Sequence, residues 1–333
     1  QELTAGTLLV RDHVTEFYLY GSDGERIVSE VENIGPGLTR EFVTALAAGS
    51  YITACKPGMS GDGIRADFTV TDSGKDVPAA GKDQLVEQAT DRYRDYVYGQ
   101  AELLVDKTEE FAAAYRSGDL AAARALYPVA RTPWESIETV AESFADLDVA
   151  LDAREADLEP GQTGTGWHRI EKDLWPQRAK SYRPLGAKQR GVLAAKLVAD
   201  TTELEKRVGE LSFTVAQIAN GATGLMEEVA TSKLTGEEEY WSRTDLSDIQ
   251  ANVTGAHEAF ESLEPIVSAG DPDLVETLDA RFAELQTLLD AQRRGDGFVP
   301  YDKVPAEQLK ALADAVNALA EPLSRVGAVV LAG

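Results

Sequence analysis

The sequence predicts an α+β chain in two parts, a small antiparallel β-sandwich over residues 1–77 and an all-α domain over residues 78–333. Three observations predict it. Residues 1 to 72 form runs rich in β-branched and aromatic side chains, broken by turn residues. Residues 73 to 83, SGKDVPAAGKD, collect Gly, Pro and charge as a linker does. From Gln84 onward the apolar residues recur at helical spacing almost to the end.

The strands are expected in TLLVRDHVTEFYLY, RIVSEVENIG, REFVTALAAGSYITACK and IRADFTVTD, with SDGE, GPG and MSGDG as their turns. Beyond the linker, the segments QLVEQATDRYRDYVYGQAELLVDKTEEFAAAYRSG, LAAARALYPVARTPWESIETVAESFADL and AAKLVADTTELEKRVGELSFTVAQIANGATGLMEEVATSK read as helices. Later helices are expected after Thr244, after Asp271 and after Val304-Pro305, where residues favoured at helix starts stand in place. The total is a bundle of roughly seven to nine helices with no fixed-period repeat. Two stretches escape the pattern and are candidate functional loops, residues 159–166 (EPGQTGTG) and 234–245 (LTGEEEYWSRTD).

Composition excludes several classes. Fifty-seven acidic residues against 32 basic ones give a formal charge of -25, which repels a nucleic-acid backbone and attracts cations. No run of about 18 apolar residues occurs, so the sequence contains no membrane-spanning helix. One cysteine, Cys55, excludes an intramolecular disulfide. The chain opens at Gln1 without a charged n-region and apolar h-region, a pattern shared by cytosolic chains and by mature forms whose signal has been removed.

The 42 residues Arg131–Lys172 concentrate carboxylates and a suggestively placed histidine. On a helix running from Trp134 to Phe144, Glu135, Glu138 and Glu142 fall within about 60° of one another, beside an apolar stripe of Trp134, Ile137, Ala141 and Phe144. His168 and Glu171, three apart, would be neighbours on a helix and able to grip one ion. The bland alternative is a solvated acidic helix face and an incidental histidine. His257 reads as structural, Glu237, Glu238 and Glu239 as a solvated turn from which one side chain reaches the bundle centre, and Asp245 and Asp248 as acids complementing a helix N-terminus.

GWHRIEKDLW, residues 166–175, together with WESIETVAESFADLDVALDAREAD upstream and TSKLTGEEEYWSRTDLSDIQANVTGA downstream, resembles the imelysin-like domain and its GxHxxE motif. VENIGPGLTREFVTALAAGSYITAC resembles the cupredoxin-like domain that precedes it in a family of bacterial iron-uptake components. The resemblance implies a cupredoxin-like β-sandwich followed by an imelysin-like pair of four-helix bundles. It also implies a metal held by His168 and Glu171 and by the acids Glu135, Glu138 and Asp152, with Glu142 a second-shell or solvated residue. A neutral imidazole with several carboxylates suits Fe²⁺, Mn²⁺ or Zn²⁺.

By the same resemblance the protein is extracytoplasmic, periplasmic or anchored at the cell surface as a lipoprotein. It captures ferrous iron for a membrane permease and works beside a haem-peroxidase-like partner. The β-domain departs from a blue-copper protein, because it has only His13 and its loop CKPGMSGDG supplies Cys55 and Met59 with no histidine between them. The alternatives there are a different copper or iron site built from Glu32, Cys55, Met59 and Asp62, or plain packing of Cys55 and Met59 inside the sandwich. Two rival functions remain open. One is a zinc metallopeptidase using HxxE, although the helical signature HExxH is absent. The other is a module that binds a polysaccharide or a partner protein, which the charge of -25 opposes unless a cation bridges.

Overall fold

The computed structural model describes residues 15–24, 27–34, 46, 48–57, 63–71, 82–158 and 161–332. The strand-rich part comes first and the helices follow, as the patterning requires. Strands β1 (Thr15–Tyr20), β2 (Ile27–Ile34), β3 (Gly49–Pro57) and β4 (Ile64–Val70) make one antiparallel sheet in the order β2-β1-β3-β4. Tyr18, Tyr20 and Ala54 form its small apolar cluster, with Ile27 and Ile52 against it. Among the described residues these strands form a single sheet with no second sheet packed on it, and β2 lies against α7. His13, Met59 and Asp62 lie outside the described residues, as does the Glu32 side chain. Cys55 is buried opposite Phe17, with its Sγ 3.3 Å from Thr15 Oγ1.

The last strand ends at Val70 and the first helix begins at Lys82, so the expected boundary near residue 77 also falls outside the described residues. Helix α1 (Lys82–Ser117) is followed by α2 (Leu120–Ser136), α3 (Glu138–Ala141), α4 (Ala145–Leu151), α5 (Gly166–Leu174) and α6 (Ala187–Val208). Then come α7 (Val215–Thr231), α8 (Asp245–Gly270), α9 (Pro272–Asp290), α10 (Ala306–Leu323) and α11 (Val326–Ala332). The long helices α1, α2 and α6 pack with the short α4 and α5; α7 to α10 form a second bundle, and α8 also packs on α1 and α2. The starts expected after Thr244, Asp271 and Pro305 are where α8, α9 and α10 begin. At α9 the Asp271 carboxylate accepts from Leu274 N at 3.1 Å and Pro272 holds the first helical position, where its missing N–H costs nothing.

The helix expected from Trp134 to Phe144 is broken. Pro133 sits in the last turn of α2, Ser136 Oγ bonds back to Thr132 O at 2.8 Å, and Ile137 N donates to Trp134 O in a tightened turn. From the other side Gly255 of α8 comes so close that a Cβ there would lie 2.1 Å from Ser136 O. Asn252 of α8 donates to Glu135 O at 2.8 Å. The break turns Glu142 away from Glu135 and Glu138, into a cleft that it lines with Glu30 and Glu228 between β2 and α7.

Candidate metal centre

Five stretches converge between the bundles. The end of α2 brings Arg131 and Glu135, α3 brings Glu138, and Asp152 caps the end of α4. Gly166 opens α5 with φ +70, and a Cβ on it would lie 1.9 Å from Leu151 O. Only glycine lets α5 start against the end of α4, which sets His168 beside Asp152. The fifth stretch runs from Lys233 through Glu238 and Glu239 to Asp245, Asp248 and Asn252 at the start of α8. All of these are buried.

Within this chamber the HxxE pair divides its work. His168 Nδ1 lies 3.2 Å from Glu171 Oε2, while Glu171 Oε1 accepts from the backbone N–H groups of Trp241 at 2.7 Å and Ser242 at 2.6 Å. The glutamate is thereby fixed, and it holds the imidazole with Nε2 pointing the other way. That atom makes no hydrogen bond although His168 is only 4% exposed; it faces Asp152 Oδ1 at 3.3 Å and Glu238 Oε1 at 3.5 Å. Donor atoms of Asp152, His168 and Glu238 all lie within 4.8 Å of one another, as do those of His168, Glu171 and Glu239, and those of Glu135, Glu138, Asp152 and Glu238.

Two cationic side chains are buried in the same space. Arg131 pairs with Glu135 and Asp152, with Glu239 at 2.8 Å, and faces Glu238 at 3.5 Å and Asp248 at 3.6 Å. Lys233 Nζ lies 2.7 Å from Glu135 Oε2, 2.9 Å from Glu138 Oε1 and 3.6 Å from Glu238 Oε1. The carboxylates of Glu135, Glu138, Asp152, Glu171, Glu238, Glu239, Asp245 and Asp248 therefore outnumber the fixed cations four to one. Both oxygens of Asp248 and Asn252 Oδ1 lack a hydrogen bond. Trp134, Trp167, Tyr127 and Phe111 wall the chamber and lower the local dielectric.

Burial and crowding push protons onto some of these acids. Burial, reinforced by Glu239, raises the Glu171 carboxyl to about 7 and Asp245 to about 7. Burial and then the Glu135 charge carry Glu138 and Asp248 well above the usual carboxylate range. Asp152 goes the other way: burial opposes its ionisation, but Arg131 and His168 hold it well below that range. Glu238 is likewise held low against burial, by Lys233 and His168. Burial alone would depress His168, yet the Asp152 charge, with the carboxylates of Glu171 and Glu238 also beside the ring, holds it well above its usual value. A divalent cation at Nε2 would replace that proton, and one nitrogen with oxygen donors suits Fe²⁺, Mn²⁺ or Zn²⁺. A cavity of about 390 Å³, lined by His168, Gln162, Thr163, Arg169 and Lys172 among others, leads to the imidazole past the expected loop.

Residues 89–326 match the Imelysin family model, which carries a peptidase family name. The chain belongs to the imelysin family. It is also 36% identical over 315 residues to proteins named iron uptake system component EfeO from Escherichia coli strain K12, Shigella flexneri and Escherichia coli O157:H7. In each case the match covers 92% of this chain and 80% of the relative. The helical domain with its GxHxxE motif is thus the imelysin part of an EfeO-type chain.

The structure brings all five residues expected from the imelysin resemblance, Glu135, Glu138, Asp152, His168 and Glu171, to this one chamber. It corrects the reading of the EEE turn: Glu237 is exposed, but Glu238 and Glu239 are buried at the centre. Asp245 and Asp248 do begin α8, yet both face the chamber interior, and Asp245 accepts from Glu239 N at 3.1 Å. Arg131, Lys233 and Asn252 went unmarked; a lysine and an arginine beside apolar helix positions in so acidic a chain were the available signal. His257 packs its ring 4.6 Å from Phe282, away from the chamber, as a structural residue does.

Proposed function

We propose that this chain is the extracytoplasmic iron-binding component of a bacterial ferrous iron uptake system, which captures the ion at His168 and hands it to a membrane permease. The observation that carries the reading is the buried Nε2 of His168, without a hydrogen bond, between the carboxylates of Asp152 and Glu238. A buried imidazole nitrogen set between two carboxylates needs a proton or a metal on it, and a divalent cation is what this donor set would take. The names of the EfeO relatives and the net charge of -25, which attracts cations to the chain as a whole, support iron as cargo. A haem-peroxidase-like protein of the same system would be a second partner. No helix among the described residues is long and apolar enough to cross a membrane.

The reading is non-enzymatic. A zinc hydrolase needs an open coordination position and a separate general base, whereas both oxygens of the motif glutamate are committed, one to two backbone N–H groups and the other to the imidazole. The test is anaerobic titration of the full chain with Fe²⁺. The parent should bind one ion and His168→Ala should lose at least tenfold in affinity while remaining folded. Equal affinity in the two proteins would overturn the assignment.

A further inference from the structure

The cavity of about 390 Å³ in front of His168 has a wall that cation binding alone does not explain. Among the described residues its charged lining is Glu155, Arg169 and Lys172, so this wall is net positive in a chain whose formal charge is -25. Lys172 is paired with Glu155, whose side chain is exposed and able to swing into solvent. Arg169 has no carboxylate in direct contact among the described residues. Its Nη1 donates instead to Tyr182 Oη at 2.8 Å, and that hydroxyl donates in turn to Asp173 Oδ1 at 3.0 Å. Asp173 is buried and also accepts from Leu185 N at 2.6 Å and from Tyr115 Oη at 2.8 Å. The guanidinium is thereby fixed through a phenol, and its remaining N–H groups are left for a ligand. Arg169 and Lys172 stand one turn apart on α5, each 5.3 Å from the centroid of the Tyr182 ring.

From this wall we propose that the cavity seats a small polycarboxylate of the citrate class, gripped by Arg169 and Lys172, so that the chain takes up its ion as an anionic chelate. The proposal rests on the iron reading of His168 for the metal, while the anion seat stands on the cavity itself. The planar fork of Arg169 matches one carboxylate with two parallel hydrogen bonds, and the Lys172 ammonium offers a point charge to another. Two separated cations suit a ligand with several carboxylates better than one compact anion. The volume agrees, since at about 30 Å³ per water the cavity equals roughly a dozen waters. Fe²⁺ without ligands would be repelled by the net positive wall, whereas the same ion inside an anionic chelate is drawn to it. His168 lines the same cavity, so a chelate seated on Arg169 is delivered beside the imidazole.

The test is equilibrium dialysis of the full chain against radiolabelled citrate, with and without Fe²⁺ under anaerobic conditions. The parent should bind one citrate per chain with submillimolar affinity, and with Fe²⁺ supplied it should retain one ion and one citrate together. Arg169→Gln should weaken citrate binding at least tenfold, and Arg169→Lys, which keeps the charge but not the fork, should weaken it less. If Arg169→Gln does not fold, Lys172→Gln carries the same test, because that side chain supplies the second positive charge. No citrate on the parent, equal binding by the folded variant, or displacement of citrate by an equimolar amount of inorganic phosphate would each overturn the anion seat. Fe²⁺ retained with citrate left in solution would overturn uptake as a chelate and leave the His168 reading standing. Citrate retained without any Fe²⁺ would do the reverse, removing the His168 reading and supporting the seat.

Discussion

Gly166→Ala tests the link between backbone and metal centre most directly. The residue has φ +70, a conformation that costs an alanine about 1 to 2 kcal/mol. Its new Cβ would stand 1.9 Å from Leu151 O. Carbon and carbonyl oxygen rest no closer than about 3.3 Å, so α4 and α5 must separate by roughly 1.4 Å. That displacement falls on the contact between His168 and Asp152, which are two residues after Gly166 and one after Leu151. Strain and lost packing together should destabilise the protein by about 3 kcal/mol, which at roughly 2–4 °C per kcal/mol means a melting point lower by roughly 6–12 °C. Metal affinity should fall at least tenfold, since a ligand displaced by about 1 Å no longer meets its ion. Circular dichroism melts and titration with Fe²⁺ measure the two effects. Gly191→Ala is the control: it sits inside α6 with nothing within 4 Å of a new Cβ, and helix propensity should leave it neutral or stabilised by about 0.5–1 kcal/mol. A Gly166→Ala protein that melts within 2 °C of the parent, on the order of 1 kcal/mol or less, with unchanged affinity would refute the reasoning.

Three further outcomes follow from the charges and the domain order. Without metal, stability should fall as pH rises from about 4.5 to about 7: Glu171 and Asp245 have folded pKa values raised to about 7, and His168 is held protonated in the fold, so each binds its proton more tightly folded than unfolded. Urea melts in chelator at pH 5 and pH 7.5 measure this, and the increment added by metal should run the opposite way, reaching about 2.7 kcal/mol at neutral pH with the ion at a hundred times its dissociation constant. Glu238→Gln should weaken metal binding roughly 10- to 100-fold, because the amide keeps the shape but not the charge facing His168 and Lys233; an unchanged titration would remove Glu238 from the donor set. Limited proteolysis within the Gly-, Pro- and charge-rich residues 73–83 should leave a stable helical fragment, and digestion that starts inside α1 would count against the two-domain division.

Helix starts were legible because each depends on one or two local residues: Thr244, Asp271 and Pro305 identify α8, α9 and α10 whatever surrounds them. His168 and Glu171 were legible for the same reason, a fixed spacing on one short helix. The break at Ile137 was not, because periodicity continues through it. It depends on Pro133 and Ser136 acting with Gly255 and Asn252, more than a hundred residues away in sequence. The role of Glu238 and Glu239 was only half legible: one side chain of the triplet was expected at the bundle centre, and two are there. Among 57 acidic residues a Glu triplet in a turn looks like solvated surface, and only the approach of Arg131 and Lys233 makes it the centre of the molecule.

The chamber is built from the ionic interactions that proteins usually find costly to bury. Removing one partner of a buried ion pair commonly costs about 3–5 kcal/mol, because the other charge is stranded. Here Arg131 alone reaches Glu135, Asp152, Glu238, Glu239 and Asp248. Packing the interior with apolar residues would give more stability; protons on the acids that burial raises offset part of the excess, and on the proposed reading a further cation offsets the rest part of the time. Under that reading Arg131 and Lys233 hold the acids together when the ion leaves, while the remaining acids leave room for it. On the proposed reading, that balance is what a site for transported cargo needs, in contrast to a structural metal site, whose loss would unfold the domain around it.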